Sequence, residues 1–598
     1  MKKKMAAIGV LAAGLICLSA CNGGGGGQLP HDNQIHPDLD QAFVSELFYR
    51  NDLGTLAPDP CVIQITDEES TEYGYYYLYG TTDPDMGYRA YRNKDLTGKW
   101  EDVTPIKNHL AFEAKPSHYA YGKGHFWAPE VIYEADEGKY YIFYSGAMEM
   151  KNKYTDYEEA HRMIGVAVAD EPYGPFEPCG DPSKPIFDND VMVAYMKSFG
   201  IKVGKFDGKD IFNCIDPHPY VAPDGTKYLY FVSEGTSYGS KSDIFVCEME
   251  DWKTPKLDTL TQATRCGYYT VDEEWTDESG SNIPNYESGN GVNEGPYMYQ
   301  KQQEDGSWKY YLTLSINGYA DKSYSVVQAV GDSPMGPFRK LTEEEGGILL
   351  GCDWQRFDHV SGTGHHSFIP VDGELYMAYH EHVARQTGGY GERDVAVDKV
   401  VWTKNNNGDD VLYCNGPTWS LQPRIAKHSG YRNLAAEAEV KASTGSNVSA
   451  LTDGLLSIYT NNTYVKEFEA QKTTTITLKF AEYKEVSAIM VYNSKTFEKS
   501  FVDVKRIEFD CNYDGQNCTA FIENLAFDWD FYKMETLKAM RPGGSAVAVF
   551  NPLLVKEIRI TVELPKNRPD DIAIIDEETG YIIDQKSVAI SEIVVLGK

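Results

Sequence analysis

IGVAVADEPYGPFEP, at residues 164–178, returns in closely similar form as VVQAVGDSPMGPFRK at residues 326–340. Each copy is an apolar strand pattern followed by a turn that contains Gly-Pro. Looser copies occupy residues 88–101 and 243–256, and residues 397–409 fill a fifth slot. Recurrence at such spacing predicts similar structural units arranged in series.

A second pattern, a glycine-bearing turn followed by a tyrosine-rich strand, precedes these copies. It occurs at residues 73–83, 136–147, 223–236, 305–318 and 372–382. Five two-part units predict five similar sheets, which can close radially and leave few exposed edges. We therefore expect an all-β protein whose residues 40–428 form a five-bladed β-propeller. A large β-sandwich is the alternative, but it would not repeat one turn and strand five times.

Residues 434–598 show alternating strand patterns without the repeat and predict a β-sandwich domain. The pieces NLA, LTDG, TITLKF and ISEIVVLG resemble a discoidin-like, galactose-binding-like module. Such modules bind sugars or support a catalytic partner, and the sequence leaves both roles open.

The first twenty residues, MKKKMAAIGVLAAGLICLSA, are typical of a secretory signal peptide. The run from Leu18 to Cys21 resembles a bacterial lipobox, which implies lipidation of Cys21; an ordinary cleaved signal is the alternative. Residues 21–39 begin with a glycine-rich run and predict a flexible tether. We expect a protein held at the bacterial cell envelope by its lipid, with no other membrane contact.

The charge and the cysteines exclude several classes of function. The formal net charge of −33 would be repelled by nucleic acid, and it suits a neutral ligand. Sugar sites use aromatic rings as stacking surfaces, and the chain has 43 tyrosines. Among 11 cysteines there is no CxxC pair, so no zinc site is indicated, although Cys511 and Cys518 could form a disulfide.

Three acids stand just before or at the start of predicted inner strands. Asp59 lies in LAPDPCVIQI, Asp216 in IFNCIDPHPY and Glu294 in GVNEGPYMYQ. Asp-Pro alone is a common turn opener, so each acid taken singly indicates only a turn. We expect all three at the same offset from their strands, which would gather them at one end of the propeller.

Residues 45–405 resemble glycoside hydrolase family 43, through the ordered pieces PDP, WAPE, IDP, NEGP, GTGHHS and YH. The resemblance implies a five-bladed propeller that hydrolyses glycosidic bonds with inversion and requires no cofactor. It implies Asp59 as the general base, Glu294 as the general acid, and Asp216 as the acid that orients Glu294 and raises its pKa. Inverting hydrolysis needs such a pair, with one carboxyl kept protonated near neutral pH.

Three further residues are candidates for contacts with the sugar. Trp127 is a candidate wall for the sugar, or else a buried propeller aromatic. The resemblance implies that His365 lies on the axis, where some family members hold calcium, so a Ca²⁺ ion at His365 is a candidate. Its neighbour His366 could be mistaken for it. Arg393 matches an arginine that reaches the substrate, or else forms a surface ion pair.

The leading hypothesis is an exo-acting, inverting glycosidase for neutral oligosaccharides or polysaccharides. The family favours α-L-arabinofuranosidase or β-D-xylosidase activity, with galactan-directed activity as an alternative. A non-catalytic glycan-binding propeller is a second hypothesis, and the presence of all three acids disfavours it. A phosphorylase or transferase is a third, but the sequence shows no dense basic cluster near the acids.

Overall fold

The computed structural model describes residues 33–598 except a set of short stretches. The exceptions are residues 38, 40–42, 115–123, 151–159, 180–183, 237–238, 273–283, 285, 288–290, 352–359, 384–392, 459–461, 514, 526–543 and 566–584. Cys21 and the signal sequence lie outside the described residues, so lipidation stays a prediction.

Short elements lead into the propeller: helix α1 (Val44–Leu47) and strand β1 (Phe48–Tyr49). The first blade is a four-stranded sheet in the order β2-β3-β5-β6. The elements of this region are β2 (Cys61–Gln64), β3 (Tyr76–Tyr79), β4 (Gly87–Tyr88), β5 (Ala90–Asn93), β6 (Glu101–Asp102), α2 (Thr104–Lys107) and β7 (Phe112–Glu113).

The second and third blades repeat this order of strands. Blade 2 contains β8 (Trp127–Glu134), β9 (Lys139–Met150), β10 (Ala160–Ala169) and β11 (Glu177–Pro178). Helix α3 (Asn189–Ser198) and the hairpin of β12 (Gly204–Phe206) and β13 (Lys209–Ile211) connect it to blade 3. Blade 3 contains β14 (Cys214–Val221), β15 (Lys227–Ser233), β16 (Asp243–Asp251), β17 (Thr254–Pro255), a 3-10 turn at Leu257–Thr259 and β18 (Thr261–Gln262).

The fourth and fifth blades complete the propeller. Blade 4 contains β19 (Asn293–Gln302), β20 (Trp308–Ile316), β21 (Ser325–Gly331), β22 (Arg339–Lys340) and β23 (Ile348–Leu350). Blade 5 contains β24 (Val360–Val371), β25 (Glu374–Val383), β26 (Arg393–Lys404) and β27 (Asp410–Cys414). The tyrosine-rich pattern forms the second strand of every blade, and the Gly-Pro pattern forms the third strand and the turn after it. The predicted five-bladed propeller is confirmed.

A β-rich C-terminal region follows β28 (Gln422–Pro423) and α4 (Ala426–Ser429). Its strands are β29 (Arg432–Asn433), β30 (Glu439–Ala442), β31 (Phe468–Ala470), β32 (Thr474–Asn493), β33 (Val504–Tyr513), β34 (Gln516–Leu525), β35 (Ser545–Val562) and β36 (Val588–Gly597). Short 3-10 turns lie at Ala435–Glu437, Val448–Leu451 and Phe497–Lys499. The long strands β32 and β35 pair along their lengths within one sheet, and an aliphatic core includes residues of both. The described strands fit the predicted β-sandwich. Cys511 and Cys518 face each other across β33 and β34 and form a disulfide.

Hydrogen bonds and apolar contacts between described residues connect the C-terminal region to the rest of the chain. The Asn415 side chain donates to the Gly454 carbonyl at 2.9 Å and accepts from the Leu456 N–H at 3.0 Å. Within the predicted tether, the Ile35 N–H donates to the Phe521 carbonyl of β34 at 2.7 Å. In the described part of the chain, no helix is long and apolar enough to span a membrane.

Candidate active site

In every blade, one residue on or just before the first strand has a positive φ. These residues are Asp59 (φ 57°), Ala128 (φ 45°), Asp216 (φ 52°), Gly295 (φ 53°) and His365 (φ 47°). In blades 2 to 5 the feature coincides with an irregularity in the pairing of the first two strands. Left-handed backbone is unfavourable for residues with a Cβ and gathers at functional sites, and bulges re-aim side chains.

Glu294 lies one residue before this feature, so the expectation of one shared offset for the three acids is wrong. Asp59 and Asp216 occupy the left-handed position itself, whereas Glu294 precedes Gly295 as Trp127 precedes Ala128. A Cβ on Gly295 would lie 3.2 Å from Cγ and Nδ1 of His365, closer than ordinary contact. A side chain at position 295 would therefore require His365 to shift.

Hydrogen bonds from blade to blade hold the left-handed residues in place. In four cases the backbone N–H donates to a side chain on, or just beyond, the second strand of the preceding blade. The pairs are Ala128 to Thr81 Oγ1 (2.9 Å), Asp216 to Ser145 Oγ (3.0 Å), His365 to Ser315 Oγ (2.8 Å) and Asp59 to His380 Nδ1 (3.2 Å).

These five hydrogen bonds form a ring that connects the blades. The N–H of the fifth left-handed residue, Gly295, donates to a carboxylate instead. The residue of β15 that pairs with Ile215 is Val232, whose side chain has no acceptor. The Gly295 N–H donates to Asp216 Oδ2 at 3.0 Å. Asp216 therefore closes the ring and is fixed beside the peptide that carries Glu294.

Asp59 is buried and held as a carboxylate. Its Oδ1 lies 2.9 Å from Arg393 Nη1, and its Oδ2 accepts the Thr81 hydroxyl at 2.6 Å. Burial raises the pKa of Asp59, but the charge of Arg393, with His365 and His380, outweighs burial and holds this pKa well below its usual range. Asp59 is therefore ionised near neutral pH.

The pKa values of Glu294 and Asp216 are raised, in contrast to that of Asp59. Burial, followed by the charge of Asp216, raises the pKa of Glu294 well above its usual value, although the Tyr324 hydroxyl acts in the other direction. Burial also raises the pKa of Asp216, to about 6, and Asp59 adds to this effect. Like charges in a buried site cannot all ionise, so one proton stays on Glu294.

His365 faces these acids, and His366 does not. Nδ1 of His365 lies 3.4 Å from Asp59 Oδ1 and 4.0 Å from Asp216 Oδ2. The buried His366 instead places its Nε2 2.7 Å from Thr313 Oγ1.

The described side chains at His365 do not provide the oxygen-rich ligand set that Ca²⁺ prefers. Across the described residues, no group of three or more His, Cys, Asp or Glu side chains could hold a metal ion. Calcium at His365 stays a prediction.

Arg393 contacts Asp59 directly, whereas Trp127 lies next to Ala128, whose N–H donates to the same Thr81 hydroxyl that contacts Asp59. Trp127 is half-buried, with the His125 ring stacked on it at 4.9 Å and the Arg162 guanidinium 4.7 Å from its centroid. Arg393 binds Asp59 and lies 4.8 Å over the Tyr319 ring. Contact of either residue with a sugar stays a prediction.

Sequence reasoning missed Thr81, Ser145, Ser315 and His380, whose side chains accept the N–H groups of the left-handed residues, and Tyr324, whose hydroxyl acts on the pKa of Glu294. Ser145, Ser315 and His380 lie on the second strand of their blades, directly after IFY, LTL and MAY, and Thr81 lies just beyond such a strand, after YLYG. Aligning the ends of the five tyrosine-rich copies would have identified a polar position there. Tyr324 follows a turn outside the repeat and gives no such signal.

The family model for glycosyl hydrolases family 43 matches residues 53–407, which contain the three acids and every blade strand except β27. The chain belongs to glycosyl hydrolase family 43. This family consists of hydrolases that act on glycosidic bonds with inversion.

The chain is similar to curated proteins and to a solved structure. The chain is 26% identical over 280 residues to a β-xylosidase of Xylanibacter ruminicola, a match covering 43% of this chain and 66% of that protein. It is 25% identical over 268 residues to a xylosidase/arabinosidase of Bacteroides ovatus, with the same coverage. The matches thus span just under two thirds of these curated relatives. A solved thermostable family-43 glycoside hydrolase is 28% identical, covers 63% of this chain and 98% of its own, and has a TM-score of 0.44.

Proposed function

We propose that the protein is an exo-acting glycoside hydrolase that cleaves neutral glycans with inversion at the anomeric carbon. One observation carries the proposal: carboxyls gathered at the propeller axis are held in opposite protonation states. Arg393 keeps Asp59 ionised, and burial beside Asp216 keeps Glu294 protonated. An inverting hydrolase needs one carboxyl of each kind.

The proposed reaction is a single displacement by water. Asp59 takes a proton from the water as the water oxygen attacks the anomeric carbon. Glu294 gives its proton to the departing glycosidic oxygen as the C–O bond breaks. Afterwards Asp59 holds a proton and Glu294 is ionised, and exchange with solvent restores both groups.

Asp216 is proposed to prepare Glu294 for this step. Its Oδ2 accepts the Gly295 N–H, which fixes the carboxylate next to the general acid. A fixed negative charge in a buried site disfavours a second one, so the Glu294 proton is kept until the leaving oxygen develops charge. Asp216 is a positioning residue and does not itself transfer a proton.

The proposed substrates are α-L-arabinofuranosides or β-D-xylosides, as oligosaccharides or polymer ends. Relatives named β-xylosidase and xylosidase/arabinosidase support these two sugars. A galactan-directed activity and a non-catalytic glycan-binding role are the alternatives. We also propose attachment to the cell envelope through lipidated Cys21, which the N-terminal sequence supports.

Turnover of aryl glycosides tests the proposal. Aryl α-L-arabinofuranosides, β-D-xylosides and β-D-galactosides would be incubated with the full chain, and the first-formed anomer followed by proton NMR. The expected product has the opposite anomeric configuration to the substrate. Retention would contradict the mechanism. Binding of glycans without turnover of any substrate would favour the glycan-binding alternative.

A further inference from the structure

The strongest unassigned feature at the axis is a threonine between the Asp59 carboxylate and the second blade. Thr81 lies just beyond the end of β3 and is not among the residues expected from the sequence. Its Oγ1 is 2.6 Å from Asp59 Oδ2 and 2.9 Å from the backbone nitrogen of Ala128. One hydroxyl therefore touches both the candidate base and the peptide that follows Trp127.

The direction of the Thr81 proton follows from the chemistry of its two neighbours. The Ala128 N–H is a donor only, so Thr81 Oγ1 must accept from it. Asp59 is an ionised carboxylate and an acceptor only, so the single hydroxyl proton must point to Oδ2. Hydrogen bonds to charged groups are stronger than neutral ones, and this one favours the ionised form of Asp59.

The local backbone brings Thr81 to this point. The Thr81 N–H donates to the Pro58 carbonyl at 2.7 Å, which ties the end of β3 to the segment carrying Asp59. A Cβ on the preceding Gly80 would lie 2.6 Å from that carbonyl oxygen, so only glycine allows this approach. Arg393 occupies Oδ1 while Thr81 occupies Oδ2, so the carboxylate is held at both oxygens.

We propose that Thr81 is a positioning residue that sets the orientation of the general base, Asp59, relative to the peptide between Trp127 and Ala128. The inference rests on the proposed function, because it assigns Thr81 to the base of that reaction. Thr81 would act through Asp59, without contact with the reacting atoms. Losing its hydroxyl should slow the attack of water and leave proton delivery by Glu294 intact.

The test compares Thr81→Val, Thr81→Ala and Thr81→Ser in the full chain. We expect the Val and Ala variants to lose roughly 10- to 100-fold in kcat, the range for a hydrogen bond to a charged group, with KM changed by less than about 2-fold. The loss should be equal for aryl glycosides with good and poor leaving groups, since the base does not protonate the leaving group. Thr81→Ser keeps the hydroxyl and should recover most of kcat.

Thr82→Val is the matched control. Thr82 Oγ1 also accepts a backbone N–H, that of Arg89 at 2.9 Å, but it is not hydrogen-bonded to Asp59 in the structure. Its kcat should equal that of the wild type. Two hydroxyl-free variants are included because valine places a methyl group against Asp59, whereas alanine leaves space.

The outcomes separate this inference from the proposed function. An inactive Asp59→Asn variant with fully active Thr81→Val and Thr81→Ala would overturn the role of Thr81 alone. Thr81→Ser as slow as Thr81→Val and Thr81→Ala would also overturn it, because a hydroxyl at this position would then not restore kcat. A wild type without turnover, or an active Asp59→Asn variant, would overturn the proposed function and this inference with it.

Discussion

At the scale of single residues, Arg393 is the group that keeps Asp59 ionised at low pH. Its Nη1 lies 2.9 Å from Asp59 Oδ1, and its charge lowers the pKa of that carboxyl. A base with a lowered pKa stays ionised as the pH falls, and removal of the lowering charge lets it protonate at higher pH.

We therefore expect Arg393→Met to move the acidic limb of the kcat/KM profile to higher pH and to lower its maximum. The measurement is a pH profile on an aryl glycoside. Arg339→Met is the control, because Arg339 pairs with Glu345 in an ion pair away from the axis. An unmoved acidic limb in Arg393→Met would contradict the electrostatic role of Arg393.

Glu381 is a buried acid outside the proposed mechanism. Its side chain is fully buried on β25, and neither oxygen has a hydrogen-bond partner among the described residues. Burial, then the charges of Asp398 and Asp394, raises the pKa of Glu381 well above its usual value. The folded state therefore holds a proton that the unfolded chain releases above about pH 4.3.

The sign of the stability change follows from proton linkage. A raised pKa in the folded state lowers the free energy of unfolding as pH rises from the unfolded pKa toward the folded one. Glu381→Gln removes this titration, so the variant should gain stability over the wild type between pH 5 and pH 8, roughly. Denaturant unfolding at several pH values measures the gain, and a constant difference between the proteins across pH would contradict the expectation.

At the scale of elements, the ring of hydrogen bonds joins blades that share no strand. Ser315 on β20 accepts the His365 N–H of β24 at 2.8 Å, and both residues are buried. Its removal leaves a buried donor without its partner, which costs about 1–3 kcal/mol.

Ser315→Ala should lower the free energy of unfolding by about that amount. Ser307→Ala, in the exposed turn before β20, is the control and should change stability little. Chemical denaturation monitored by tryptophan fluorescence measures both. Equal stabilities for the two variants would mean that the inter-blade bond adds nothing.

The elements also show what sequence can predict and what it cannot. Tyrosine-rich strands recur because each second strand is buried between neighbouring blades, so periodic composition alone predicts five blades. The three acids were found because Pro and Gly beside them mark the strand entries. The one-residue shift of Glu294 could not be predicted, because the room at Gly295 is limited by His365 of the next blade, a contact distant in sequence.

At the scale of the whole molecule, the C-terminal region packs against the propeller side through apolar and polar contacts. Tyr413 and Tyr464 share a hydrophobic cluster with Leu341 and Val411. Asn415 adds two hydrogen bonds across the same boundary. A surface of this kind favours a supporting role for residues 434–598.

Deletion of residues 434–598 should therefore yield an insoluble or strongly destabilised propeller. Asn415→Ala in the full chain, which removes both of its bonds, should lower the melting temperature without changing KM for small aryl glycosides. Differential scanning calorimetry and steady-state kinetics measure these quantities. A soluble, fully active deletion protein that has lost affinity for polymer would show a glycan-binding role instead.

The central claim is that Glu294 supplies the proton to the departing oxygen. Its most direct test is the leaving-group dependence of Glu294→Gln, with Glu381→Gln as a buried control that also has a raised pKa. Glu294→Gln should slow substrates with poor leaving groups far more than activated aryl glycosides, because only the former need a proton. Glu381→Gln should slow neither. Equal losses on both substrate classes for Glu294→Gln would contradict the claim.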